Sequence, residues 1–124
     1  GAMERAIAYS NESKTFGTEI KNHQIIQFKI ADMATRINAA RLLCLRAAWQ
    51  KDNKQDYTQS AAMAKVFASE TAMWVTSEAV QIHGGYGYVK EYHVERMMRD
   101  AKITQIYEGT SEMQRIVISR RILR

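Results

Sequence analysis

The chain has no proline, one cysteine, three histidines and six glycines among its 124 residues. Without proline, no fixed pyrrolidine ring interrupts a long helix. A single cysteine excludes an intramolecular disulfide. Cys44 falls at a helical core spacing and reads as an inert buried residue, and a reducing compartment fits. His83 and His93 stand in no Cys, Asp or Glu spacing that makes a metal site, so they read as structural. Aromatics make up 9% of residues and are not interleaved with a Lys/Arg tract, so the formal charge of +5 does not describe a nucleic-acid surface. Only Arg115, Arg120, Arg121 and Arg124 are concentrated, and the remaining charge reads as solvated helix faces. The same positive balance suits a phosphorylated cofactor or a CoA-bearing substrate. No apolar run approaches the ~20 residues of a membrane span, and no stretch of these residues reads as a signal peptide. The start Gly1-Ala2-Met3, already helical in pattern by Glu4, fits a cut inside a longer protein.

What is present is helical periodicity. With 46% hydrophobic residues, the composition suits one largely helical domain, able to bury roughly two thirds of its unfolded surface. Met3 to about Lys14 reads as the end of a helix, and Thr15 to Asn22 as a loop broken at Gly17. From His23 to about Lys51, Ile26, Ile30, Met33, Ile37, Ala40 and Cys44 form a seam alternating by fours and threes. After the polar turn 52–56, a second long helix spans about Thr58 to Ile82. Ala62, Val66, Met73 and Val80 make one stripe and Met63, Phe67 and Trp74 another, a face broad enough for more than one neighbour. Gly84-Gly85-Tyr86-Gly87 ends it. A shorter helix covers about Val94 to Asp100, and a last one runs from about Ser111 to the C-terminus. These lengths predict an all-α, antiparallel four-helix-type bundle with additional short helices, in a single domain.

The stretch carrying most chemistry is Gln105-Ile106-Tyr107-Glu108-Gly109-Thr110-Ser111-Glu112. Thr110 or Ser111 can act as N-cap, Gln114 stands three residues after Ser111, and Ile116-Val117-Ile118 follow. Glu108 therefore lies just outside a helix N-terminus, flanked by Ile106 and Tyr107. Apolar neighbours that desolvate such an acid raise its pKa towards that of a useful base. An ordinary solvated loop acid is the alternative reading of the octet taken alone.

Three further blocks accompany it: Gln81-Ile82-His83-Gly84-Gly85-Tyr86-Gly87-Tyr88, Glu95-Arg96-Met97-Met98-Arg99-Asp100-Ala101-Lys102, and Thr15-Phe16-Gly17. In order and spacing the whole chain resembles the C-terminal helical domain of the acyl-CoA dehydrogenase family, nearest its short-chain, butyryl-CoA-type branch. The resemblance implies α,β-dehydrogenation of an acyl-CoA, with FAD as cofactor. Glu108 matches the catalytic base, its backbone N–H matches a donor to the thioester oxygen, and Gly109 matches a substrate-contact position. An acid at this position matches branches acting on straight-chain substrates rather than the isovaleryl and long-chain ones. Thr110, Ser111 and Glu112 match flavin contacts, where a helix N-terminus offers unpaired N–H groups. Gln81, Gly84 and Gly85 match the segment receiving the adenosine and phosphate part of FAD from a neighbouring subunit, although a Gly-Gly pair is also an ordinary C-cap. Phe16, His23 and Gln24 match cofactor contacts across the same interface, beside Ser13, Lys14 and Thr15.

The resemblance further implies a homotetramer and an electron-transfer flavoprotein as electron acceptor. The implied location is the bacterial cytoplasm, or the mitochondrial matrix of a eukaryote. An N-terminal helical domain and a middle β domain of such an enzyme are not in this sequence, so the segment alone is expected to be inactive. Two departures stand out. Ser13 occupies a position where the family usually has an arginine for the FAD phosphates, leaving Lys14 as the candidate replacement. His93 stands where proline is frequent, which is expected to alter only how the following helix begins. A non-catalytic helical oligomerisation module and an acyl-CoA oxidase of the same fold are the competing readings. In the first, Glu108 has no task.

Overall fold

The apolar seam and the broad-faced second helix form the long antiparallel pair expected of them. In the computed structural model, which describes residues 1–124, α2 spans Gln24–Asp52 and α3 spans Thr58–His83. Around α3 pack α1 (Ala2–Glu12), α4 (Val94–Ile103) and α5 (Ser111–Ile122). The two-stripe face of α3 thus meets four helices, as its width predicts. The core proper joins Ala2 and Ala6 of α1, Met33 of α2, Val75, Ala79 and Ile82 of α3, Val94 of α4, and Ile20. Met33 and Val94 are fully buried.

Local chemistry explains most boundaries. Asp56, one residue before the N-cap Tyr57, accepts the Thr58 N–H at 3.1 Å and so satisfies the first free donor of α3. Gly84, at φ 58°, closes its end, its N–H returning to the Gln81 carbonyl. A 3₁₀ segment, Gly84–Tyr88, follows. Gly87 is buried there, and only glycine fits, since a Cβ would lie 2.4 Å from the Val80 carbonyl oxygen.

Three expectations need correction. The stretch after α1 is a tight hairpin rather than a plain loop: β1 (Lys14–Thr15) pairs antiparallel with β2 (Thr18–Glu19), followed by a 3₁₀ turn at Ile20–Asn22. Phe16 and Gly17 form its two-residue turn, both at positive φ, 52° and 81°. This is the backbone twist that two-residue hairpins favour.

Cys44 is exposed, not buried. Along α2, Met33, Ala40 and Ala47 carry the seam inward. Cys44 instead lines an apolar groove of about 560 Å³ whose opposite wall is Ala61, Ala64, Ala68 and Ala72. Side chains that small leave space, and the 11 residues of α1 pack over the other half of the pair.

His93 takes φ 60°, the left-handed region, at the start of α4. Proline, fixed near −65°, cannot adopt that conformation. The residue therefore changes the turn itself and not merely the first helical turn.

Candidate functional site

Loop 104–110 leaves α4 through a run of turns and delivers the chain to α5. Glu108 and Gly109 adopt positive φ in succession, 53° and 93°, and Thr110 then becomes the N-cap of α5. Its hydroxyl accepts the Met113 N–H at 3.4 Å, and the Ser111 N–H closes the loop onto the Gln105 carbonyl at 3.0 Å. Gln114 does not complete a capping box. Its Nε2 turns outward and donates to the carbonyls of Glu108 at 3.2 Å and Gly109 at 3.4 Å. Lys65, on α3, donates to the Gly109 carbonyl at 2.6 Å. Glycine suits position 109 because its φ of 93° strains any other residue, and a Cβ there would also displace the Gln114 amide, 2.7 Å away.

The Glu108 backbone N–H makes no hydrogen bond within the chain. Its carboxylate is exposed, and flanking Ile106 and Tyr107 are each about half exposed. In this chain, therefore, the apolar neighbours do not bury the acid. Ser111 is 5% exposed, and its Oγ is buried without a hydrogen-bond partner. Glu112 is exposed. Its carboxyl is held below the usual carboxylate range by the backbone N–H at the free end of α5, then by the Thr110 hydroxyl and the charges of Arg115 and Lys102. Arg115 pairs with Glu70 of α3, anchoring the first turns of α5. The unpaired Ser111 hydroxyl and the N-terminus of α5 together suit an electron-rich or anionic group.

A second group of predicted residues gathers at the hairpin. Ser13 caps α1, donating its N–H to the Tyr9 carbonyl. Lys14 is exposed and pairs with Glu19 at 3.7 Å, so its charge is shared locally. Thr15 Oγ1 is hydrogen-bonded to His23 Nε2 at 2.8 Å, and the His23 ring meets Phe16 edge-on at 6.2 Å. Phe16 itself is 98% exposed at the tip. His23 is the N-cap residue of α2 and Gln24 its first residue.

Gln81, Gly84 and Gly85 lie at the end of α3, all exposed, with open space around both glycines. The hairpin and this turn share one end of the bundle, since Tyr9 of α1 stacks on His83. The Glu108 loop stands apart from them. Lys65 and His83 are 18 residues apart on α3 (83 − 65), roughly 27 Å at 1.5 Å per residue. The structure thus resolves the predicted residues into two separated groups. Lys65 and the outward role of Gln114 were not legible in sequence: one lies 44 residues from its partner, and the other mimics a capping box.

Fold and loop together describe a helical domain that presents an acid on a backbone-constrained loop beside a helix N-terminus. The family described as acyl-CoA dehydrogenase, C-terminal domain, matches residues 1–123, and the chain belongs to that family. It is 54% identical to a probable acyl-CoA dehydrogenase, YngJ, of Bacillus subtilis, over 99% of this chain and 32% of the relative. It is 53% identical to the caffeyl-CoA reductase–Etf complex subunit CarC of Acetobacterium woodii, over 100% of this chain and 33% of that one. The solved butyryl-CoA dehydrogenase of Megasphaera elsdenii superimposes with a TM-score of 0.97 at 52% identity, covering 99% of this chain and 32% of that one. The chain thus spans about a third of the length of the relatives it matches. No helix is long and apolar enough to cross a membrane.

Proposed function

We propose that the chain is the C-terminal domain of a flavin-dependent acyl-CoA dehydrogenase acting on a short, straight-chain acyl-CoA, with Glu108 as the base. The observation that carries this reading is the coincidence, on one residue, of a free carboxylate and a free backbone N–H. That residue is held at φ 53° by hydrogen bonds to its own and the next carbonyl. A base and an oxyanion donor on the same residue serve a thioester well. The N–H steadies the charge that develops on the carbonyl oxygen while the carboxylate takes the α-proton. Gly109, without a side chain, leaves room for the acyl chain.

Thr110, Ser111 and Glu112 would hold FAD at the ring end. Phe16, His23, Gln24, Gln81, Gly84 and Gly85 would hold its adenosine and phosphate end, assisted by Ser13, Lys14 and Thr15. The chemistry a bound FAD supplies is acceptance of the hydride from the β-carbon. The separation of the two groups, roughly 27 Å along α3, supports their serving cofactors in different subunits of a homotetramer. Ser13 lacks the charge and fork of an arginine, and Lys14 is already engaged by Glu19. Phosphate binding in this enzyme therefore rests more on backbone donors. An electron-transfer flavoprotein is the proposed electron acceptor. An N-terminal helical and a middle β domain would desolvate Glu108, so the 124-residue segment alone is expected to be inactive.

The test is flavin reduction by butyryl-CoA in stopped flow, comparing the full-length enzyme with its Glu108→Gln variant. Loss of reduction by several orders of magnitude with FAD retained supports the base. Undiminished reduction would place the base elsewhere and leave the loop as a helix cap.

A further inference from the structure

Lys65 has no place in the readings above, yet it makes the strongest polar contact to the Glu108 loop. Its ammonium donates to the Gly109 carbonyl at 2.6 Å and lies 5.9 Å from the centre of the Tyr107 ring. Every other hydrogen bond of residues 104–110 stays within the loop or reaches the adjoining helices α4 and α5, and this one alone reaches α3. The Lys65 stem lies on the wall of the alanine groove, as amphipathic side chains do when apolar surface carries the methylenes to a polar target. A charged donor on a carbonyl forms a stronger bond than the two longer contacts from Gln114.

The loop needs such a tie. Left-handed backbone is unfavourable for a non-glycine residue such as Glu108, and Ile106, Tyr107, Glu108 and Gly109 are all exposed, so burial does little to hold them. The carbonyl that Lys65 grips belongs to the Gly109–Thr110 peptide, one unit beyond the Glu108–Gly109 peptide whose carbonyl Gln114 holds. Releasing it loosens the left-handed Glu108–Gly109 pair at its far end, and with it the backbone from which the Glu108 carboxylate and N–H project.

We propose that Lys65 is a positioning residue for Glu108, fixing the Glu108–Gly109 backbone through the Gly109 carbonyl so that the carboxylate and N–H point at the same substrate. This rests on Glu108 being the base.

The experiment uses the full-length holoenzyme with Lys65→Met, Lys65→Arg and, in parallel, Glu108→Gln. Flavin reduction by butyryl-CoA is followed by stopped flow, and hydrogen–deuterium exchange is measured over residues 104–110. Lys65→Met should slow reduction about 10- to 100-fold, the scale of a small misplacement of a reacting group. FAD content and the Kd for butyryl-CoA should stay near wild type, giving a loss in kcat rather than in KM. Exchange in 104–110 should rise in Lys65→Met, and Lys65→Arg should restore most of both. A wild-type rate in Lys65→Met, an unchanged loop exchange, or an arginine variant no better than methionine would each overturn the proposal. If Lys65→Met does not fold, Lys65→Gln replaces it. A reduction rate and loop exchange equal to wild type in that neutral, shorter variant overturn the proposal, and intermediate values support it. If Glu108→Gln reduces flavin at full rate, the base assignment fails and this inference with it. Slow Glu108→Gln with fast Lys65→Met rejects Lys65 alone.

Discussion

Tyr9 of α1 lies face to face with His83 at the end of α3, ring centroids 4.3 Å apart and planes 24° from parallel. Tyr92 meets both rings edge-on, each at 5.8 Å, and the His83 Nδ1–H donates to the Ala79 carbonyl at 2.7 Å. Three rings thereby join α1, α3 and the turn before α4. Tyr9→Leu and His83→Leu should each lower stability, and a double-mutant cycle should give a coupling of about 0.5–1.5 kcal/mol in urea unfolding. Strict additivity would show the stack to be incidental.

His93→Gly should raise the melting temperature, because glycine meets the φ of 60° without the Cβ penalty, a gain of up to about 1 kcal/mol. His93→Pro should lower it, since the ring cannot take that φ. A proline variant as stable as wild type would mean that the turn rebuilds itself.

Gly87→Ala is the sharpest packing test. The added methyl meets the Val80 carbonyl oxygen at 2.4 Å and His83 Cβ at 2.9 Å, both on the rigid last turns of α3. A cost of about 3 kcal/mol or more is expected by thermal denaturation. Gly85→Ala, with open space around it, should cost far less.

Acid should loosen the two capped helix starts. Asp56 is held below the usual carboxylate range first by the Thr58 backbone N–H, then by the Thr58 hydroxyl and the Arg121 charge. Glu112 is lowered in the same direction at α5. For groups lowered on folding, the unfolded chain binds protons first. Their contribution is therefore complete above the ordinary carboxylate range near pH ~4 and is lost as pH falls through the folded values. The melting temperature should drop between about pH 5 and about pH 3, less steeply in Asp56→Asn. An identical slope in that variant would remove Asp56 from the account.

The isolated 124-residue chain should self-associate at micromolar concentration. Phe28, Leu42, Leu45 and Trp49 stand more than half exposed along α2, an apolar surface beyond what monomers usually present. Sedimentation velocity would decide, and a monodisperse, cooperatively melting monomer would count against the prediction.

Much of this was legible in one dimension because helical periodicity is local. The bounds of α2 and α3, the break at Gly84 and the start of α5 follow from residue spacing and caps alone. What escaped depended on neighbours far along the chain. Cys44 obeys the seam rule yet faces alanines that cannot cover it. Gln114 has the spacing of a capping box, but Thr110 rather than Ser111 takes the cap, and the amide turns to the loop instead. Lys65 carries no signal at all until α3 is laid beside loop 104–110. The hairpin was missed because its strands are two residues each, too short for alternation to register.

The turn at Phe16 and Gly17 fixes an aromatic ring in open solvent before anything touches it. Its two left-handed residues, the strand pair beneath and the Thr15–His23 bond leave the backbone little to search. Folding has therefore already met the entropy of ordering this tip, and whatever stacks on Phe16 gains the contact without that loss. The same coupling would run in reverse: a ligand seated there would stabilise the hairpin, and a substitution that relaxes the turn, such as Gly17→Val, would weaken its binding without removing a single contacting atom.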